Sequence, residues 1–208
     1  MLYQNPTLSR RVLFFESLII NFMQAILNYF NKPILKISLA FGFVTGLLCF
    51  FYFLGLYFLH ITPLGNKKVL DYGIHVIMMS ACCWNFRRYA GNGYFHLWEG
   101  ITICYIVNSV AALFTGWLIY GFVTQIDTTI FPQYLAEMKQ LLVNTKGQLI
   151  EKLGQKEYDI MLADVQKIKP SDLISDEFVK KSIIGVLPIL IISMAFRKQD
   201  YGIYNTGK

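Results

Sequence analysis

Charged residues are scarce in this sequence: Asp, Glu, Lys and Arg make up 15% of the 208 residues, whereas hydrophobic residues make up 55%. A soluble domain of this length needs more charge on its surface. The apolar residues instead form runs of about 18 or more, close to the length that a helix needs to cross a bilayer core of ~30 Å. The sequence therefore predicts an all-α membrane protein.

Cysteine is also rare, and the spacing of its residues does not suit a metal site. All four cysteines fall inside apolar runs, where cysteine packs as a small hydrophobic residue. They are Cys49, Cys82, Cys83 and Cys104. The net charge is +6, but the basic residues lie at segment ends or beside acids, so no nucleic-acid partner is expected.

Four transmembrane helices are predicted, and they divide the chain into four parts. Residues 1–33 form an N-terminal amphipathic helix, because polar residues follow one stripe of an otherwise apolar segment; whether residues 8–31 span the membrane or lie on it is left open. Residues 34–125 contain spans one to three. Residues 126–177 are predicted to form an extramembrane amphipathic helical hairpin, and residues 178–208 hold span four and a basic tail.

Small residues recur at helical spacing in spans one and three. In a membrane, small side chains let two helix backbones approach closely, and a polar amide can hydrogen-bond across them. We therefore expect spans one and three to pack together through these stripes. The helix-packing residues are Gly42, Gly46, Gly100, Cys104, Asn108, Ala112 and Gly116.

Aromatic and charged residues mark the ends of the spans. Tryptophan and basic residues favour the membrane interface, so they predict the depth of each helix. The predicted interfacial anchors are Trp84, Arg87, Arg88, Trp98, Glu99 and Trp117. Glu99 is interpreted as an anchor at the start of span three, paired with His96 in a structural salt bridge. Pro188, in the middle of span four, predicts a kink.

The central two-thirds of the predicted spans contain no Asp, Glu, Lys or Arg, which disfavours proton-coupled transport and intramembrane proteolysis. Asp71 and His75 are one helical turn apart, and His60 is predicted on the same side. These three residues are weak candidates for a zinc site, but an intrahelical hydrogen bond explains the Asp71–His75 pair equally simply. No metal, cofactor or catalytic residue is therefore predicted.

Both termini are expected in the cytoplasm. With four spans, all five arginines fall on the same side of the membrane as the termini. Positively charged residues close to span ends are enriched on the cytoplasmic side. The lysines of residues 126–177 carry less weight because acids accompany them.

The order of four segments resembles a known family. They are ISLAFGFVTGLL, GNGYFHLWEGITICYIVNSVAALFTGWLIYGF, IFPQYLAEMKQLL and VLPILIISMAFRK. Over about residues 34–198 the chain is similar to the bacterial domain-of-unknown-function family forty-one ninety-nine, small four-span inner-membrane proteins. The resemblance implies that fold and the bacterial inner membrane, but no activity and no catalytic residues.

Three functions are considered. The first is a non-enzymatic scaffold or accessory subunit of a larger inner-membrane assembly, because the spans look charge-free and several surfaces suit packing against other subunits or copies of the chain. The second is a small oligomeric transporter or lipid flippase with a path along Asn108, Ser109, Thr115 and Pro188. The third, a membrane-bound hydrolase or transferase using Glu99 or the Asp71/His75 pair, has the least support.

Overall fold

A computed structural model describes residues 32–198, which fold almost entirely into helices. The long helices are α1 (Pro33–Phe58), α2 (Tyr72–Tyr89), α3 (Leu97–Gly121) and α7 (Asp172–Phe196). Three shorter helices are α4 (Ile130–Asn144), α5 (Lys146–Leu153) and α6 (Gln155–Lys167). A 3-10 segment, Asn66–Asp71, precedes α2, and a wider π-type turn, Phe122–Ile126, extends α3. Residues 32–198 contain no strand, only a single bridge between Phe95 and Lys198. The all-α prediction is confirmed.

Three helices are long and apolar enough to cross a membrane: α1, α3 with its extension, and α7. Each can cover a hydrocarbon core of ~30 Å at 1.5 Å per residue. The helix α2 is not among them, because its 18 residues include His75, Arg87 and Arg88. The chain therefore has the helices of a membrane protein, but the predicted second span, residues 69–86, is not confirmed.

The helix α3 lies at the centre of the bundle, where it packs against α1, α2 and α7. At one end of the bundle, Phe86, Phe95 and Phe196 belong to one apolar cluster, and the Phe95–Lys198 bridge joins the two chain segments there. This end also carries most basic residues of the described bundle, and we call it the basic end. These residues are Lys32, Lys36, Arg87, Arg88, Arg197 and Lys198.

The opposite end of the bundle is contacted by α4, the first helix after the extension of α3. The start of α4, Ile130 and Phe131, packs into an apolar cluster with Phe53 and Leu173. The polar region is helical, but it forms three helices and not two, with breaks at Thr145 and at Gly154, whose φ is +88°. The predicted hairpin is thus not confirmed. The predicted helix over residues 1–33 lies almost wholly outside the described residues.

The small residues of α1 bring its backbone close to α3. A Cβ atom added at Gly46 would lie 2.9 Å from Phe114 and 3.0 Å from the carbonyl oxygen of Ala111. Next to it, the hydroxyl of Thr115 donates a hydrogen bond of 3.1 Å to the Gly46 carbonyl oxygen. A Cβ atom added at Gly42 would lie 2.8 Å from the side chain of Val110. Spans one and three therefore pack closely at the glycines of span one.

The small residues of α3 point elsewhere, which corrects one expectation. A Cβ at Gly100 would meet Ser193, and a Cβ at Gly116 would meet the backbone of Ile174; both of these contacts lie on α7. The stripe that begins at Gly100 thus faces α7, while α1 contacts a different side of α3. The two stripes of small residues do not face each other, because one central helix uses different faces for different neighbours.

Candidate functional site

One face of α7 carries charged residues into the bundle. The helix begins at Asp172, six residues before the predicted start of span four at Phe178. Its buried residues recur mainly at every fourth position and therefore form one stripe along the helix. That stripe is Leu173, Glu177, Lys181, Gly185, Ile189 and Ser193. Lys181 therefore lies inside the helix, ~14 Å from its first residue at 1.5 Å per residue.

Lys181 is the centre of a buried ionic network. Its side chain is 7% exposed, and its Nζ lies 2.5 Å from Oδ1 of Asp71. The same Nζ lies 3.1 Å from Nε2 of His75 and 3.4 Å from Oε1 of Glu177. An ammonium group has three donors and no acceptor; two of them serve Asp71 and His75, and Glu177 adds an ionic contact without a hydrogen bond.

His75 and Asn108 extend this network to the middle of α3. Because Lys181 only donates, Nε2 of His75 accepts its hydrogen bond, and the ring proton belongs on Nδ1. Nδ1 then donates to Oδ1 of Asn108 at 2.9 Å. The amide nitrogen of Asn108 donates to the carbonyl oxygen of Lys181 at 3.1 Å. Gly185 permits this approach, because a Cβ there would lie 2.9 Å from that amide nitrogen.

The outer part of the network is a second ion pair, between Lys68 of the 3-10 segment and Glu177. The network thus contains alternating positive and negative groups, in the order Lys68, Glu177, Lys181 and Asp71, and their charges balance. Some acceptors remain unused: Oδ2 of Asp71, the hydroxyl of Tyr72 and Oε1 of Glu177 have no hydrogen-bond partner among the described residues. Asp71 is only 1% exposed, and a buried acceptor without a partner needs an explanation.

A cavity of about 520 Å³ adjoins the network, between the bundle and α4. This volume is typical of sites that bind small molecules. Lys68, Asp71, Glu177 and Lys181 line one wall. Apolar residues and α4 line the rest, including Leu64, Ile119, Tyr134, Met138, Leu173 and Ile184. Burial raises the pKa of Tyr134, so its phenol stays neutral near pH 7.

The expectation of a charge-free interior is therefore wrong. It depended on starting span four at Phe178, which places Lys180 and Lys181 together near the predicted end of the helix. The structure separates them: Lys180 is exposed and pairs with Asp176, whereas Lys181 is buried. The sequence does contain the signal, because the spacing from Glu177 through Lys181 to Gly185 continues the buried stripe of α7.

The weak metal candidates do not form a site. Asp71 and His75 both bond to Lys181, and both ring nitrogens of His75 have partners. The expected intrahelical hydrogen bond between Asp71 and His75 is not formed; both side chains bond to Lys181 instead. His60 is exposed beyond the end of α1 with a φ of +54°. Within residues 32–198, no three His, Cys, Asp or Glu side chains converge on a metal position.

The predicted anchors lie on the surface of the bundle. Trp84, Trp98 and Trp117 are each more than half exposed. In the turn after α2, Nε of Arg87 donates to the carbonyl oxygen of Gly93 at 3.2 Å, and Arg88 lies over the ring of Tyr89.

Glu99 lies at the start of α3 and makes a helix cap. Its Oε2 accepts the backbone N–H of His96 at 2.8 Å. A glutamate at the third helical position commonly satisfies this otherwise unpaired donor. The bond to the backbone takes the place of the expected salt bridge with the His96 ring.

Other predicted residues lie in the core. Cys104 of α3 and Cys83 of α2 have their sulfur atoms 3.4 Å apart, with both residues buried. Ala112 is fully buried in α3. Pro188 lies inside α7, where it cannot donate a backbone hydrogen bond to the carbonyl of Ile184.

Comparison with known proteins agrees with the resemblance seen in the sequence. No curated protein and no solved structure matches the chain. One family model matches residues 40–198, which is most of the chain and includes every residue of the ionic network. The chain belongs to the family described as "Protein of unknown function (DUF4199)".

Proposed function

We propose that this protein is a non-enzymatic integral membrane protein that binds a small molecule in the cavity beside Lys181 and acts as a small transporter. The observation that carries the proposal is the buried ionic network on the cavity wall. Charged groups inside a membrane bundle are costly, and they commonly mark substrate or ion pathways. This favours the transporter over the scaffold, because the scaffold hypothesis was based on a charge-free interior.

The network also holds four elements of the bundle together. It connects the 3-10 segment, α2, α3 and α7 through contacts with Lys181. Pro188 lies seven residues further along α7, where one backbone hydrogen bond is lost. A ligand that competes for Asp71 or Glu177 would weaken the attachment of α7 to its neighbours. Beyond Asn108, apolar side chains fill the basic half of the bundle, so this conformation is closed on that side.

The location follows from the same features. We place the protein in the bacterial inner membrane, with the basic end of the bundle and both termini in the cytoplasm. The pairing of Lys68 and Lys181 with buried carboxylates supports this orientation, because neutralised lysines on the α4 end count less. In this arrangement α2 is a fourth, short span, and α4–α6 lie outside the cytoplasm.

The test uses a charge-neutral pair of substitutions. Full-length protein and the double variant Asp71→Asn/Lys181→Met are purified in a mild detergent and screened for thermal stabilisation by a set of small amphiphiles of both charges. A compound that binds the folded state raises the melting temperature. We expect some compounds to stabilise the wild type but not the double variant. Equal stabilisation of both proteins, or of neither, would contradict a binding role for the network.

A second candidate function, compatible with transport, is an accessory subunit of a larger assembly. It is favoured by apolar side chains that are exposed on α4–α6, outside the candidate spans. These are Leu141, Val143, Leu153, Ile160 and Met161, with 37–52% of each residue exposed. Large apolar side chains that are exposed outside the candidate spans suit contact with a partner or a membrane surface. Cross-linking in native membranes tests this: the protein should be captured with other subunits or with itself, and a monomer alone would contradict it.

A further inference from the structure

The charges around the cavity are unequal, and this indicates which ligands it accepts. Its lining contains three lysines, Lys68, Lys180 and Lys181. It also contains four carboxylates, Asp71, Glu137, Asp176 and Glu177. Four acids against three bases leave the lining with one net negative charge.

The ion pairs show which carboxylate carries that charge. Lys68 pairs with Glu177, Lys181 with Asp71, and Lys180 with Asp176 at 2.7 Å. Among the described residues, Glu137 has no cationic partner; it accepts only the hydroxyl of Thr62. Glu137 lies on α4, where it lines the cavity and is exposed. An additional cation would complete the pairing at this position.

The unused hydrogen-bonding groups of the wall point the same way. Oδ2 of Asp71 and Oε1 of Glu177 are acceptors without a hydrogen-bond partner within residues 32–198. A ligand that satisfies them must donate, which an ammonium group does and a carboxylate or phosphate does not. The rings of Tyr72 and Tyr134 also line the cavity, and aromatic faces attract cations.

From these observations we infer that the cavity binds an amphiphilic monocation, with its ammonium group among the carboxylates of Asp71, Glu137 and Glu177 and an apolar body against Leu173 and Ile184. This inference rests on the proposed ligand-binding function and specifies its substrate class. An acidic or phosphate-bearing group on the ligand would face carboxylates and would find each lysine of the lining already paired with one of them. An anionic amphiphile is therefore excluded by the same charges that select the cation.

Three probes with the same apolar body test the inference: 2-phenylethylammonium, 3-phenylpropanoate and 2-phenylethanol. Their affinities are measured by isothermal titration with the full chain in lipid nanodiscs. Because hydrogen bonds to charged groups contribute more than neutral ones, we expect the cation to bind roughly tenfold tighter than the other two. Glu137→Gln should remove this preference. Glu151→Gln, which changes an exposed acid of α5 away from the cavity lining, should retain it.

The outcomes separate this inference from the proposed function. Equal or tighter binding of the anion or the alcohol, lost in Asp71→Asn/Lys181→Met, would overturn the choice of a cation while leaving a binding cavity. An unchanged preference in Glu137→Gln would also overturn it. Absence of binding by all three probes contradicts the inference, whereas the proposed function is then decided by the wider amphiphile screen.

Discussion

Lys181 and Asp71 are 110 residues apart in the sequence, and their side chains meet at 2.5 Å inside the helix bundle. Lys181 belongs to α7 and Asp71 ends the 3-10 segment before α2, so the pair fixes the position of two distant elements. Each charge compensates the burial of the other. Removing one of them therefore has a different consequence from removing both.

The single variant Lys181→Met should destabilise the protein strongly, because it leaves the buried carboxylate of Asp71 without its ammonium partner. Breaking a buried ion pair in this way costs about 3–5 kcal/mol. The double variant Asp71→Asn/Lys181→Met should recover most of that loss, since neither charge remains. Thermal unfolding in detergent measures both. Additive effects of the two substitutions would show that the residues are not coupled.

How much of this was accessible from the sequence depends on the kind of signal. Long apolar runs predict helices and their approximate ends, because hydrocarbon thickness sets the required length. Small residues such as Gly42 and Gly46 indicate close helix packing, and in the structure both lie against α3. Gly100 and Gly116 lie against α7, which the sequence does not indicate, because spacing shows which residues share a face but not which helix that face contacts.

The ionic network was missed for a related reason. Lys181 follows Lys180 in a lysine-rich stretch, and composition alone suggests that both are solvated. Only the four-residue spacing with Glu177 and Gly185 distinguishes the buried lysine from its neighbour. The partners Asp71 and Asn108 lie on other elements, and their proximity follows from tertiary packing that one sequence does not determine. Asp71 and His75 were recognised as an unusual pair, but the lysine between them was not.

Gly46→Leu should destabilise the bundle by about 1–3 kcal/mol, because the new side chain meets Phe114 and the Ala111 carbonyl at the α1–α3 contact. Gly55→Leu is the matched control on the same helix, since a Cβ there has no neighbour within 4 Å among the described residues. Melting temperatures in detergent compare the two. Similar losses in both variants would mean that close packing at Gly46 is unimportant.

Asn108→Leu should lower stability by about 1–3 kcal/mol, because Nδ1 of His75 loses its buried partner and Lys181 loses a donor to its carbonyl. If Asn108 only lined a transport path, as the transporter hypothesis from the sequence places it, this variant would fold normally and lose only transport. Ser109→Ala is the control, since the hydroxyl of Ser109 has no hydrogen-bond partner in the described part of the chain. Unfolding curves distinguish the two, and a fully stable Asn108→Leu would restore the earlier hypothesis.

Glu99→Gln should fold and function nearly normally, because an amide oxygen can accept the backbone N–H of His96 in place of the carboxylate. Glu99→Ala removes the acceptor and should cost about 0.5–2 kcal/mol, as for other helix caps. The difference between the melting temperatures of the two variants separates the contribution of the helix cap from that of the carboxylate charge. A complete loss of function in a stably inserted Glu99→Gln would instead assign the carboxylate a chemical role.

Asp127 should make the junction between α3 and α4 sensitive to acid. Its Oδ1 accepts the hydroxyl and the backbone N–H of Thr129 at 2.6 and 2.9 Å, and these bonds lower its pKa below the ordinary value of 3.8. Its Oδ2 accepts the hydroxyl of Tyr57 at 3.0 Å, which ties the junction to α1.

Because the folded-state pKa is the lower one, the contribution of Asp127 to stability is fully present above pH 3.8 and is lost as the pH falls through the folded value. Hydrogen exchange of residues 127–133 should therefore accelerate below that pH. In Asp127→Asn, whose amide does not titrate, exchange of this segment should show no such acid step. An identical step in both proteins would assign the acid sensitivity to another group.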